Sequence, residues 1–160
     1  LIEQLRNIEV IGWTTVIFGI LLYISDKFEN TKKINESFGF KSALYIGFLQ
    51  VLALIPGVSR SGIAITAART LNFERVESSK ISFLLSIPTL AAVSIYGLQN
   101  VLVSKNVSFS LINLFAIFLS FITSYLTIKY FLKYVKKFNL NIFVGYRILL
   151  GALILFIAYL

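Results

Sequence analysis

Residues 43–62 read ALYIGFLQVLALIPGVSRSG, and the way this stretch breaks decides the fold. The run 43–55 is apolar and 13 residues long, about 20 Å as a helix. A helix needs about 20 apolar residues to cross the hydrocarbon of a bilayer, so this one passes the midplane and stops. Pro56, Gly57 and Gly62 then interrupt the helix. Residues 63–71 form a second short apolar arm. Two half-length helices around a polar break predict a re-entrant hairpin over 42–71. Backbone broken at that depth is tolerated only where protein or water covers it.

The rest of the 160-residue chain is read around this hairpin. Hydrophobic residues make up 58% and charged residues 14%, against roughly 25% charged in a soluble domain. Mean hydropathy is +0.85. That composition excludes a disordered tail, a collagen-like fibre and a water-soluble globule. Four longer apolar runs predict transmembrane helices at 10–25, 81–103, 109–128 and 142–160, with Trp13 and Tyr23 at the two interfaces of the first. The expected fold class is therefore an all-α polytopic membrane protein: four transmembrane helices plus one re-entrant helix-loop-helix hairpin, in a single membrane domain over 1–160.

The net charge of +8 sits between the apolar runs and not in one stripe. This points to loops facing anionic lipid and away from nucleic acid. The charges also test the hairpin. If 42–71 enters and leaves on one side, the segments 26–41, 69–80 and 129–137 share that side. They then place eleven Lys and Arg inside, against Arg6 and Lys105 outside. If 42–71 spans as one broken helix, the better orientation gives eight against five. The excess of cytoplasmic Lys and Arg in membrane proteins favours the re-entrant reading and puts both chain ends outside the cytoplasm.

Arg60 is the decisive residue for chemistry. It lies in the middle of the hairpin, where a charge costs several kcal/mol by insertion scales. No Asp or Glu lies within the spans as drawn, so an anion is the expected partner. Ser59 and Ser61 offer hydroxyls, and Gly57 and Gly62 allow close backbone approach. The second arm begins at the break, so its unpaired N–H groups point back into it, as in a phosphate cradle. Arginine adds two-pronged recognition of phosphate. For the two serines, plain helix capping is the competing reading. Gln50 either lines the cavity or bonds a neighbouring helix. Thr66 either reaches the site or bonds back to its own helix. Arg147, one turn inside the last span, is expected to snorkel to the cytoplasmic interface. There is no Cys and no His, which removes thiolate sites and the commonest general base and metal ligand.

The string 43–62 closely resembles undecaprenyl-diphosphate phosphatases of the bacitracin-resistance type. Ser82-Phe83-Leu84-Leu85-Ser86-Ile87-Pro88 and Tyr146-Arg147-Ile148 are also similar to that family. The resemblance covers essentially the whole chain. It implies a bacterial inner-membrane enzyme that hydrolyses undecaprenyl diphosphate to the monophosphate and recycles the lipid carrier of peptidoglycan synthesis. It assigns Arg60 and Ser59 as catalytic, and Gly57, Ser61 and Gly62 as substrate-binding; Gln50 and Thr66 join them as candidate substrate contacts from their place on the two arms. It implies a divalent cation, magnesium or calcium, whose carboxylate ligands are not in this chain. A polyprenyl diphosphate lipid is the implied partner, and a homodimer is compatible with it. One position departs from the family pattern: Ala64 stands where the family carries a threonine, and Thr66 lies two residues later.

The family is built from two inverted repeats. This chain resembles the last helix of the first repeat and the complete second. With no methionine even at residue 1, the chain is expected to be a fragment of a longer protein, inactive alone. Two alternatives stand beside the phosphatase. One is a transporter or lipid translocator using the broken hairpin as an anion site. The other is a non-catalytic membrane subunit whose hairpin only docks a partner.

Overall fold

The computed structural model describes residues 7–28, 30–103 and 111–160. Arg6, Lys105 and the first two residues of the span drawn at 109–128 lie outside them. The described residues form helices α1 (Ile8–Asp26), α2 (Ile34–Ser37), α3 (Phe40–Gln50), α4 (Arg60–Thr70), α5 (Arg75–Val103), α6 (Leu111–Lys137) and α7 (Asn141–Ala158). A 3-10 turn, Val51–Leu54, prolongs α3. Helices α1, α6 and α7, and α5 over Arg75–Gln99, are long and apolar enough to cross a membrane. The chain is an all-α polytopic membrane protein.

Several helices run past the apolar spans. α5 starts six residues before residue 81, because Glu77 and Lys80 form an ion pair within its first two turns. α6 continues to Lys137, nine residues beyond 128, carrying its lysines on the last turns. Pro88 lies inside α5, where it removes one ladder hydrogen bond.

Small residues set the packing. Without a hydrophobic drive between helices in lipid, close backbone approach supplies the contact energy. α1 and α7 meet this way. A Cβ on Gly12 would lie 2.7 Å from Leu155 Cδ2, and one on Gly151 2.6 Å from Val16 Cγ2. α4 is buried from Gly62 to Arg69. Its Ala64, Ala67 and Ala68 pack with Ile46 of α3, with Phe73 of the connection after α4, and with Ile81 of α5. Its other face gives Ile65 to a second cluster with Leu22, Val135, Leu140 and Val144. α6 buries only Val135 near its end, which leaves most of its apolar surface to lipid.

Both arms of the hairpin start and finish at one end of the bundle. Asp26, the last residue of α1, is 3% exposed and organises that end. Its Oδ1 accepts from Arg75 Nε at 2.6 Å and its Oδ2 from the Leu140 amide at 3.0 Å. Arg69, at the end of α4, donates to the Asp26 carbonyl at 2.9 Å and the Phe73 carbonyl at 3.1 Å. On the α3 side, Glu77 of α5 accepts from the Ile34 amide at 3.2 Å. A carboxylate therefore does lie within a membrane helix, one residue past the span drawn from hydropathy, and two arginines other than Arg60 hold it. Breaking such a buried pair costs about 3–5 kcal/mol. The tip of the hairpin reaches Thr14 and Thr15 of α1. These residues lie about 17 Å along that helix from Asp26.

Candidate functional site: the break of the hairpin

The break runs from Ile55 to Ser59 between the 3-10 turn and α4. Its sharpest point is Gly57, at φ +89°, a left-handed conformation that glycine adopts without steric cost. Two donors hold the backbone there, Thr14 and Arg147, and the Thr15 hydroxyl, which lies 2.7 Å from the Ile11 carbonyl of its own helix, stands beside them. Thr14 Oγ1 lies 2.7 Å from the Pro56 carbonyl oxygen, Thr15 Oγ1 3.4 Å from that of Gly57, and Arg147 Nη2 donates to Gly57 O at 3.0 Å. Next in the chain, Ser59 caps α4 by accepting from the Gly62 amide at 3.1 Å. Its hydroxyl also lies 3.3 Å from that of Ser61. The Ser61 carbonyl accepts from Ser82 Oγ at 3.4 Å. The amides of Arg60 and Ser61 fall in the first turn of α4 and have no carbonyl one turn back to accept them.

The break separates two cavities. One, of about 530 Å³, is lined by Gly57, Ser59, Ser61 and Gly62 together with Arg147 and apolar side chains of α1, α6 and α7. The other, of about 340 Å³, is lined by Arg60, Gln50 and Gly47 against Leu85, Pro88 and Thr89 of α5. So Gly57, Ser59, Ser61 and Gly62 stand together, while Arg60 and Gln50 share the opposite side. Arg60 is exposed and makes no hydrogen bond or ion pair among the described residues. Thr66 lines neither cavity. Its hydroxyl is 2.9 Å from the Gly62 carbonyl of its own helix.

Arg147 corrects the sequence reading. It does not snorkel to the interface: it is 8% exposed, and its guanidinium points into the bundle. Its Cβ lies 3.4 Å from the place of a Cβ on Gly19, and its Nη1 2.7 Å from that of a Cβ on Gly62. The side chain thus leaves α7 near Gly19 and runs toward the break, because Gly19 and Gly62 leave it the space. The signal was in the sequence. Arg147 is a second arginine inside an apolar span without a carboxylate, the same argument that selected Arg60. Thr14 and Thr15 were missed because a threonine in a membrane helix satisfies itself on the preceding turn, and only the fold reveals a second acceptor.

Arg147 makes a test available. Arg147→Met keeps an unbranched apolar stem but leaves the half-buried Gly57 carbonyl without the guanidinium donor. That should cost about 1–3 kcal/mol, read as a lowered unfolding temperature of the detergent-solubilised protein. Unchanged unfolding would show that the bond to Gly57 contributes nothing.

Residues 1–153 match the family described as bacitracin resistance protein BacA. The chain belongs to that family. Among its curated relatives, a protein named undecaprenyl-diphosphatase from Pelagibacter ubique (strain HTCC1062) is 51% identical over 154 residues, covering 96% of this chain and 60% of the relative. Another of that name, from Saccharophagus degradans, is 44% identical over 94% of this chain and 56% of its own. A third, from Teredinibacter turnerae, is 44% identical over 97% of this chain and 58% of its own. The chain thus spans less than two thirds of the length of these relatives. The resemblance carried by Pro56, Gly57 and Ser59 to Gly62 is a family membership.

Proposed function

We propose that the break binds the diphosphate of a polyprenyl lipid, undecaprenyl diphosphate, and takes part in its hydrolysis to the monophosphate and phosphate. One observation carries this: the two cavities beside the break hold the guanidiniums of Arg60 and Arg147 and the hydroxyls of Ser59 and Ser61, and no carboxylate lines either of them. Amides of the first turn of α4, the hydroxyls of Ser59 and Ser61, and the guanidiniums of Arg60 and Arg147 surround a backbone that bends sharply at Gly57. Such an array suits the spread negative charge of a phosphoryl group in transfer. The names of the relatives support the same substrate and leave the transporter alternative without support.

In this reading Arg60 grips the diphosphate and stabilises charge on the phosphorus being attacked. Ser59 donates a hydrogen bond to a phosphoryl oxygen, or serves as nucleophile once a base activates it. Ser61, Gly57 and Gly62 shape the cradle from the other side. The apolar walls from α1, α6 and α7 accept the polyprenyl tail. A divalent cation, magnesium or calcium, belongs to the proposal by family. Among the described residues no three His, Cys, Asp or Glu side chains come together, so these residues do not themselves fit a metal.

The proposal also places the protein in the bacterial inner membrane as part of peptidoglycan carrier recycling. The Asp26 end of the bundle would face the cytoplasm, with both chain ends outside. A homodimer is compatible with the apolar faces that α5 and α6 leave uncovered. The deciding experiment reconstitutes the intact protein in vesicles with polyprenyl diphosphate. Release of phosphate is expected. Movement of the lipid between leaflets without phosphate release would overturn hydrolysis in favour of translocation.

A further inference from the structure

The two cavities beside the break each hold one arginine, and the two arginines differ in burial. Arg60 is exposed. Arg147 is 8% exposed. Its Nη2 donates to the Gly57 carbonyl, but its Nε and Nη1 make no hydrogen bond, and it forms no ion pair among the described residues. The described side-chain nitrogens and oxygens that lack both a hydrogen bond and access are Asn30 Oδ1 and Arg69 Nε. The spare nitrogens of Arg147 therefore stay open to the cavity that it lines. No acidic side chain lines that cavity. A charge buried in a membrane-spanning helix without a counter-charge is costly.

Arg147 Nη1 is aimed at the start of α4. The place of a Cβ on Gly62 lies 2.7 Å from Nη1 and 3.2 Å from Ser59 Oγ, so the guanidinium and the capping serine meet at the first turn. That turn carries partial positive charge, and the buried cation therefore faces a second positive pole. An anion seated between them relieves both, and phosphate is the anion such helix starts hold. Shape then separates the two cavities. The Arg147 cavity runs from residue 11 to 22 on α1 and from 143 to 154 on α7, about 17 Å along each helix. The Arg60 cavity touches α5 only from residue 85 to 89, about 6 Å of helix. A hydrocarbon tail fits the elongated cavity and a bare phosphoryl group the compact one.

We propose that Arg147 is a substrate-binding residue with a task of its own: it holds the phosphoryl group that stays on the lipid, while Arg60 holds the terminal one that is released. This division of labour rests on the hydrolysis proposed above. In that reaction the bond between the terminal phosphorus and the bridging oxygen breaks. Its electron pair stays on the bridging oxygen. Water supplies the oxygen of the new bond to phosphorus, and its protons end on the released phosphate or in solvent. The leaving group is thus the lipid monophosphate, and its growing charge falls beside Arg147 and the first-turn amides of α4. Nε and Nη1 are the nitrogens left to grip it.

The test needs no turnover. The intact protein in detergent is offered equal amounts of undecaprenyl monophosphate and undecaprenol, and native mass spectrometry reads how much of each is retained. The unaltered protein should prefer the monophosphate by about tenfold or more, the yield of a charge-assisted hydrogen bond to phosphate. Arg147→Met should abolish the preference and leave undecaprenol retention unchanged. Arg60→Ala should keep the preference. Unfolding of each variant is checked first, and if Arg147→Met does not fold, Gly62→Ala replaces it. Gly62 has no positive φ, so alanine suits its backbone, and the added Cβ displaces Nη1 with every charge kept. No preference in the unaltered protein, a preference that survives in the Arg147 or Gly62 variant, or one that vanishes in Arg60→Ala overturns the assignment. So does an equal loss of both lipids, which marks Arg147 as a support of the fold alone. Phosphate release from undecaprenyl diphosphate by the unaltered protein is measured alongside. Its absence sinks the hydrolysis reading, whereas the lipid preference reads the Arg147 subsite by itself.

Discussion

Arg60→Ala is expected to lower phosphate release from a polyprenyl diphosphate by on the order of 10²–10³-fold, the loss typical of removing one donor to transition-state charge. Stability should hardly change, because Arg60 bonds to nothing among the described residues and lies on an exposed edge of its cavity. That separation is the force of the prediction. A guanidinium retained for folding would be clamped, as Arg69 is by the Asp26 and Phe73 carbonyls. Arg60→Lys should recover part of the activity. Lysine restores the charge but not the planar fork that meets two phosphoryl oxygens at once. The measurement is steady-state phosphate release by the intact protein beside its thermal unfolding curve. Turnover equal to the unaltered protein in Arg60→Ala would remove the central element of the proposed site.

Gly57→Ala should act in the opposite way, on folding first. At φ +89° any side chain is strained, at a cost of about 1–3 kcal/mol. Here the space is also taken. A Cβ would collide with Thr14 Oγ1 and would come within 2.6 Å of the Ile11 carbonyl oxygen. Thr14 can rotate, but the Ile11 carbonyl is helix backbone and cannot move without bending α1. The total cost should therefore exceed the conformational term alone. It should appear as a clear fall in unfolding temperature, with activity lost as the tip is pushed away from α1. Gly47→Ala is the control, since a Cβ there meets nothing within 4 Å. Equal unfolding temperatures for the two variants would contradict the packing described for the tip.

How much of this was legible in the sequence depended on whether the signal was local. The hairpin was legible because Pro56 and Gly57 break an apolar run that is too short to span, and length is a property of the chain alone. The four crossing helices were legible for the same reason. Their ends were not. The polar first turns of α5 are held by the Glu77–Lys80 pair and by the Ile34 amide, which a hydropathy window reads as loop. The Asp26 cluster joins residues 43 and 114 positions apart in the chain, and no local pattern encodes that. At the site, Ser59 was legible as a cap. Which way Arg60 and Arg147 point was not. Arg60 turns to the α5 side as the first residue of α4, and Arg147 turns inward through space left by two glycines on other helices.

Two side chains from other helices terminate on carbonyl oxygens of the tip: Thr14 on that of Pro56 and Arg147 on that of Gly57. The partners lie 42 and 90 positions away in the chain, so a substitution on α1 or α7 reaches the geometry of the turn without touching the turn itself.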